Sequence, residues 1–242
     1  MLTDNIQRYL HKYSFQTIRL KAVLFDMDGV LYNSMIYHSK SWEETSRRYG
    51  FDLTAEESYL YEGQTGRQTI NMLAERCWHR PATSEEQEKI YATKCDIFNH
   101  YPEAEPMAGA AQLLRQVKSD GFQIVLVTGS GQKTLLNRLD RNYFGIFHND
   151  LEITSYDVHN GKPSPEPYLR GLQKAAVKPW EALVVENAPL GVQAGVAAQI
   201  FTIAVNTGPL SDKVLHDAGA DLLLPSMTIL SEQWSVIRDS LA

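Results

Sequence analysis

Two aspartates one residue apart, Asp26 and Asp28, close an apolar run in Lys21-Ala22-Val23-Leu24-Phe25-Asp26-Met27-Asp28-Gly29. Carboxylates this close repel each other, and burying them unpaired costs on the order of several kcal/mol, so a cation is their natural partner. The same residues also read as a plain strand-to-turn junction, in which Asp caps and Gly turns. Ala22 to Phe25 is continuously apolar and too short for a helix, which predicts a strand buried on both faces. In open α/β sheets the carboxyl ends of the strands form the ligand crevice, and such a sheet would place both acids there.

Three further segments of this kind follow. Val127-Thr128-Gly129-Ser130-Gly131 offers a hydroxyl and then small residues whose N–H groups lead into a helix N-terminus. That is a natural oxyanion cradle, although taken alone the segment is better explained by Ser130 as a simple helix cap. Asn160-Gly161-Lys162-Pro163-Ser164-Pro165 holds one lysine among residues that fix the backbone, a point charge suited to a phosphoryl oxygen or a solvated loop cation. Val185-Glu186-Asn187-Ala188-Pro189 ends an apolar run in two oxygen-bearing side chains of the hard kind that Mg²⁺ prefers.

The elements that must position these residues alternate. After a first helix at Ile6 to Tyr13 and the first strand, Ser34 to Tyr49, Thr54 to Tyr61, Gly66 to Trp78 and Thr83 to Tyr101 all read as helices, with no strand between them. From Gly109 onward helices and short apolar strands alternate to the terminal helix, which predicts five or six parallel strands with right-handed crossovers. The expected fold is therefore α/β, a Rossmann-like parallel sheet core formed by residues 1–31 and 104–242 with an inserted all-helical cap domain at 32–103. The insertion begins where the carboxylates are, so it could close over them and exclude water. The aromatic residues Tyr59, Tyr61, Trp78 and Tyr91 sit at spacings that suit helix packing.

A net charge of -6 without any run of basic residues argues against a nucleic-acid surface. Two cysteines, Cys77 and Cys95, give no metal-ligand spacing and suit a reducing compartment as free thiols. Residues 1–20 lack the apolar core of a signal peptide, and no stretch approaches the length of a membrane span. The expectation is a cytoplasmic monomer acting on a small molecule, with neither nucleic acid nor membrane as partner.

Taken jointly and in this order, the four segments resemble the motifs of the haloacid dehalogenase superfamily of phosphotransferases. The helical insertion is similar to that of its branch typified by β-phosphoglucomutase. The resemblance implies that Asp26 is a nucleophile, Asp28 a general acid/base, Thr128 a phosphate-binding hydroxyl and Lys162 a charge-balancing lysine. It implies Mg²⁺ as cofactor, held by the Asp26 carboxylate and the Asp28 carbonyl with a side chain from Glu186 or Asn187. Gly129 and Ser130 would face the phosphoryl group, while His38 and Trp42 would line the hinge and pocket, His38 being otherwise an ordinary helix-surface histidine.

Two positions depart from the pattern. Asn187 stands where the family usually has an acid, and Glu62, in Tyr61-Glu62-Gly63-Gln64-Thr65-Gly66-Arg67, stands where the mutases carry a lysine. Within this recognition loop, which includes Gly63 and Thr65, Glu62 could return the lost charge by joining the metal site, or it could be a solvated helix-end acid. Arg67 falls one place past the position expected for an arginine that binds a distal phosphate. The acidic loop favours hydrolysis of a small phosphorylated substrate, inorganic pyrophosphate or a hexose phosphate, over the alternative of a β-phosphoglucomutase-type sugar phosphomutase. A silent phosphate binder is a third reading, against which both aspartates speak.

Overall fold

The computed structural model describes residues 2–131 and 133–241. Six parallel strands form one sheet: β1 (Ala22–Phe25), β2 (Gln123–Val127), β3 (Glu152–Ile153), β4 (Ala182–Glu186), β5 (Phe201–Val205) and β6 (Leu222–Leu224), in the spatial order β3-β2-β1-β4-β5-β6. The order reverses at β1, which pairs with β2 on one side and β4 on the other, with Phe25 opposite both Leu126 and Val185. A crevice opens at such a reversal, beyond the carboxyl ends of the strands. Asp26, Thr128 and Asn187 each follow directly on that crevice's strands.

Alternation along the strands builds a core on each face. Val23, Phe25, Leu126, Val185 and Ile203 pack on one side with α1 (Leu2–Tyr13), α6 (Ala110–Ser119) and α11 (Met227–Ser240). Ala22, Leu24, Val125, Val127 and Val184 face the other, under α8 (Glu166–Ala175) and α9 (Pro189–Ala197). Pro189 opens α9 at a position where its missing N–H costs nothing. Helices α7 (Lys133–Asn142) and α10 (Asp212–Asp217) complete the crossovers.

The helical insertion comprises α2 (Met35–Tyr49), α3 (Ala55–Leu60), α4 (Gly66–Trp78) and α5 (Ser84–Asn99). It has its own core of Phe51, Leu53, Ile70, Leu73, Ala74, Ala82 and Ile90. Thr54, Thr65 and Thr83 start α3, α4 and α5 with full capping boxes, each hydroxyl accepting from a backbone N–H three residues on. Most predicted elements differ from the observed ones only at their ends. The helix expected from Gly131 runs instead as Lys133–Asn142, and the strand at Leu151 to Thr154 shrinks to two residues behind a 3₁₀ turn. Among the described residues no helix is long and apolar enough to cross a membrane.

Candidate active site

Lys162 is the hub of the crevice. It is 1% exposed, and its Nζ donates to the Asp26 carboxylate, to Glu186 Oε1 (2.5 Å) and to the Val127 carbonyl (3.1 Å). Three acceptors satisfy all three donors of an ammonium group. The two carboxylates hold the lysine in its charged form although burial opposes this. Burial pushes Asp26 well above the usual carboxylate range; Lys162 pulls against it, and Glu186 and Asp28 add to it.

Glu186 departs from the expected metal ligand. Its Oε1 is taken by Lys162 and by the Tyr168 hydroxyl (2.6 Å), and its Oε2 accepts from the backbone N–H groups of Asn187 (3.1 Å) and Ala188 (3.4 Å). A carboxylate engaged in this way anchors the lysine instead of facing a cation. Tyr168 itself was not legible as part of the site, because its ring falls on the apolar face of α8 among core residues.

Asp28 sits at the end of a second chain. Ser34 Oγ donates to its Oδ1 at 2.5 Å, and His38 Nε2 lies 3.1 Å from the same oxygen. Lys94, on α5, approaches His38 Nδ1 at 2.6 Å. An ammonium only donates, so Nδ1 accepts and the ring proton sits on Nε2, pointing at Asp28. Burial and the Lys94 charge push His38 down, which keeps the ring neutral. Burial alone would raise Asp28, but His38, Ser34 and Lys94 together hold it below its ordinary value, and so ionised.

Sequence reasoning missed Lys94. The signal available was a lysine on the same face of α5 as Ile90, Ile97 and Phe98, where a charge has no place unless it is paired. Burial depresses it to about 8. Its unfolded value lies near 10.4, so the unfolded chain binds more protons between these limits and stability rises with pH from about 8 to about 10.4. The Lys94→Met variant is expected to lose that rise, as denaturant titrations at pH 7.5 and 10 would show. It is also expected to lower turnover about 10- to 100-fold, because the imidazole that orients Asp28 loses its fixed tautomer.

On the facing side, Asn187 Nδ2 donates to both oxygens of Glu62, at 3.2 and 3.3 Å, tying the recognition loop to the crevice. Burial, then the facing Asp26 and Asp28 charges, push the Glu62 carboxyl well up. Gly29, at φ 81°, makes room for this contact, since a Cβ there would lie 2.0 Å from Asn187 Nδ2. Asn187 Oδ1 is buried and has no hydrogen-bond partner among the described residues.

A pocket of about 60 Å³ opens beside these groups. The pocket lining brings together Asp26, Asp28, Thr128, Gly129 and Ser130 from the core with His38, Trp42, Glu62 and Gly63 from the insertion. Thr128 Oγ1 accepts from Ser130 N (3.0 Å), fixing the loop whose N–H groups lead toward α7. Thr65 is not brought into this pocket; it caps α4 and lines a neighbouring cleft. Arg67 is not brought in; its side chain is 71% exposed on the outer surface, 3.7 Å from Glu88.

Fully ionised, Asp26, Asp28, Glu62 and Glu186 would outnumber the two ammonium groups, Lys162 and Lys94, beside a neutral imidazole, and the raised Asp26 and Glu62 carboxyls reflect that excess. Among the described residues no three His, Cys, Asp or Glu side chains form a ready-made metal cluster. A cation here would rely on carbonyl and amide oxygens as well. The orphaned Asn187 Oδ1 beside the Asp26–Asp28 turn is such an oxygen, and an all-oxygen set of mixed charge fits Mg²⁺.

The family model for haloacid dehalogenase-like hydrolases matches residues 20–199. The chain belongs to this family. A fellow member, the phosphorylated carbohydrates phosphatase of Thermotoga maritima, is 30% identical over 88% of this chain and 97% of that protein. Hexitol phosphatase A of Escherichia coli is 31% identical over 87% and 93%. A solved structure from Bacteroides vulgatus, provisionally named a β-phosphoglucomutase, is 52% identical, covers 99% of this chain and 98% of that one, and superposes with a TM-score of 0.96. As a haloacid dehalogenase-like hydrolase, the chain is an enzyme of a family whose curated relatives include phosphatases of sugar phosphates.

Proposed function

We propose that the chain is a Mg²⁺-dependent phosphohydrolase acting on a small phosphorylated substrate through a phosphoaspartate on Asp26, with residues 32–103 as a cap. The observation that carries this reading is Asp26 itself, a carboxylate clamped by buried Lys162 and lining a pocket with Thr128, Gly129 and Ser130. One Asp26 oxygen is held by the lysine, leaving the other to attack phosphorus in line. The Lys162 charge and the Thr128 hydroxyl stabilise the charge on the equatorial oxygens. Asp28, held ionised by His38 and Ser34, takes the proton from the water that then cleaves the aspartyl phosphate. The Asp26 carboxylate, the Asp28 carbonyl, Asn187 Oδ1 and Glu62 would hold Mg²⁺, which when bound neutralises the crowded carboxylates and the phosphoryl charge. The two free cysteines suit a cytoplasmic setting.

Substrate size and leaving group favour inorganic pyrophosphate. A pocket of about 60 Å³ is far below the roughly 300–1,000 Å³ of sites for larger ligands. The lowered Asp28 begins as a base, which suits a phosphate leaving group that departs with little proton assistance better than it suits a sugar alkoxide. Hexose phosphates remain the second substrate class, on the strength of the sugar phosphatases among the relatives. A phosphomutase is the second reaction, favoured by the 52% identical structure.

Phosphate release with Mg²⁺ across pyrophosphate, hexose phosphates, hexitol phosphates and nucleotides tests the reading. Pyrophosphate is expected to give the highest kcat/KM. Conversion of β-glucose 1-phosphate to glucose 6-phosphate with little free phosphate would instead establish the mutase.

Glu62 supplies a further prediction with two signs. Its raised carboxyl means that the native chain binds more protons than the unfolded one above about pH 4.5, so its charge costs stability as pH rises. Glu62→Gln is therefore expected to raise the midpoint of thermal unfolding at pH 7.5 in the absence of Mg²⁺, with no gain near pH 4. The same variant is expected to need about 10- to 100-fold more Mg²⁺ for half-maximal turnover. An unchanged Mg²⁺ requirement would remove Glu62 from the metal site.

A further inference from the structure

Two core loops, one carrying Lys162 and the other beginning with Thr128, are each gripped from the helical insertion through one backbone N–H. On α4, Gln68 Oε1 accepts from Thr65 N (3.2 Å) and Thr65 Oγ1 (2.9 Å), which closes the capping box, and also from Gly161 N (2.9 Å). Gly161 is the residue before Lys162. On α5, the Tyr91 hydroxyl accepts from Gly131 N (3.2 Å), at the end of the loop that begins with Thr128. From the core side, Tyr156 donates its hydroxyl to the Gly131 carbonyl at 3.2 Å.

The approach is too close for side chains. A Cβ on Gly161 would lie 2.4 Å from Gln68 Oε1, and one on Gly129 would lie 2.4 Å from the Gly63 carbonyl. The Tyr91 ring lies flush on Gly66, where a Cβ would meet it at 2.2 Å. Beyond these contacts lies a second cleft of about 900 Å³, lined by Gln68, Tyr91 and Gly131 among others. Gly66 and Tyr91 line both spaces and so form the wall between the small inner pocket and this open cleft.

A loop N–H that loses its protein acceptor turns to water and no longer fixes the backbone around it. We propose that Gln68 and Tyr91 are positioning residues that couple closure of the insertion to assembly of the phosphate-facing loops, Gln68 setting the loop of Lys162 and Tyr91 the loop of Thr128. Each acts on a loop N–H and not on the Asp26 or Asp28 carboxylate. Gln68 therefore does two jobs with one oxygen, capping its own helix and aligning the lysine loop across the cleft. The catalytic half of this proposal rests on the phosphohydrolase reading, and the structural half does not.

Three variants of the full chain separate the jobs. Gln68→Leu removes the acceptor, Gln68→Glu keeps an acceptor that can also cap the helix, and Tyr91→Phe keeps the ring but not the hydroxyl. Amide exchange of the ligand-free proteins, followed by NMR, is expected to speed up about tenfold or more at Gly161 in Gln68→Leu, with Gly131 changed less than about threefold. Tyr91→Phe should give the reverse pattern, and Gln68→Glu should stay near wild type. Unchanged exchange at Gly161 in Gln68→Leu overturns the latch. For catalysis, phosphate release from pyrophosphate and from glucose 6-phosphate is read in parallel. Both Gln68→Leu and Tyr91→Phe should lower kcat about tenfold or more with KM within about threefold, and Gln68→Glu should recover most of the loss. A lower melting temperature with unchanged kcat reduces Gln68 to a helix cap and overturns the coupling. Absence of phosphate release in the wild type would refute the hydrolase reading, while the exchange pattern would still decide the latch.

Discussion

Asp26→Asn is expected to fold normally and to lose turnover by at least about 10⁴-fold, the order of effect seen when a nucleophile that acts as part of a unit is removed. The amide keeps the shape of the carboxylate and can still accept from Lys162, so the clamp survives while the attacking oxygen does not. Because burial and the Glu186 and Asp28 charges disfavour an ionised Asp26, the neutral variant should be at least as stable as the wild type without Mg²⁺. Phosphate release and a denaturant titration on the same sample check both halves. A variant that loses stability and activity together would point to misfolding, and one with full activity would remove Asp26 from the mechanism.

Lys162→Met has the largest expected effect on stability. The substitution leaves the Asp26 and Glu186 carboxylates facing each other at less than a tenth of their exposed area, without the ammonium that joins them. Breaking a buried pair by removing one partner costs about 3–5 kcal/mol, far more than the pair contributes beyond a well-packed apolar substitute. The sign of the pH dependence follows. Without the lysine that pulls it down, the Asp26 carboxyl would be forced further upward, the native state would take up a proton that the unfolded state does not, and the destabilisation would shrink as pH falls toward 4. Denaturant midpoints at pH 7.5 and 4.5 measure this. Adding Glu186→Gln should recover part of the loss at pH 7.5, since it removes one of the two opposed charges. Turnover should fall by about 10²- to 10³-fold as well, as when one preorganised electrostatic group facing a developing charge is lost.

Much of this was readable from the chain because the sheet is parallel. Apolar runs such as Ala22 to Phe25 and Ala182 to Val185 have few other places to go, and chemistry-bearing residues at their ends can only project into the crevice. The roles of Glu186 and Asn187 were less legible. Adjacent residues at a strand exit point in different directions, and only the structure shows Glu186 turned inward to Lys162 and Tyr168 while Asn187 faces Glu62. Lys94, Gln68 and Tyr91 were not legible as site residues for a similar reason. Each lies on an insertion helix where its spacing suits packing or capping, and its function depends on partners more than thirty residues away, His38 on α2 for Lys94 and two core loops for Gln68 and Tyr91. Tyr91, expected to be a packing aromatic, does pack, but its hydroxyl also grips Gly131. Arg67 shows the opposite failure, a cation adjacent to the recognition loop in sequence whose helical position turns it outward to Glu88.

The account stands on a phosphoryl group carried by Asp26. Rapid quenching of the enzyme during turnover of pyrophosphate with Mg²⁺, followed by borohydride reduction and peptide mass spectrometry, tests that most directly. An aspartyl phosphate is an acyl phosphate and is reduced to homoserine, so homoserine is expected at position 26, absent when substrate is withheld. Sustained turnover with Asp26 unmodified, or homoserine at another aspartate, would contradict it.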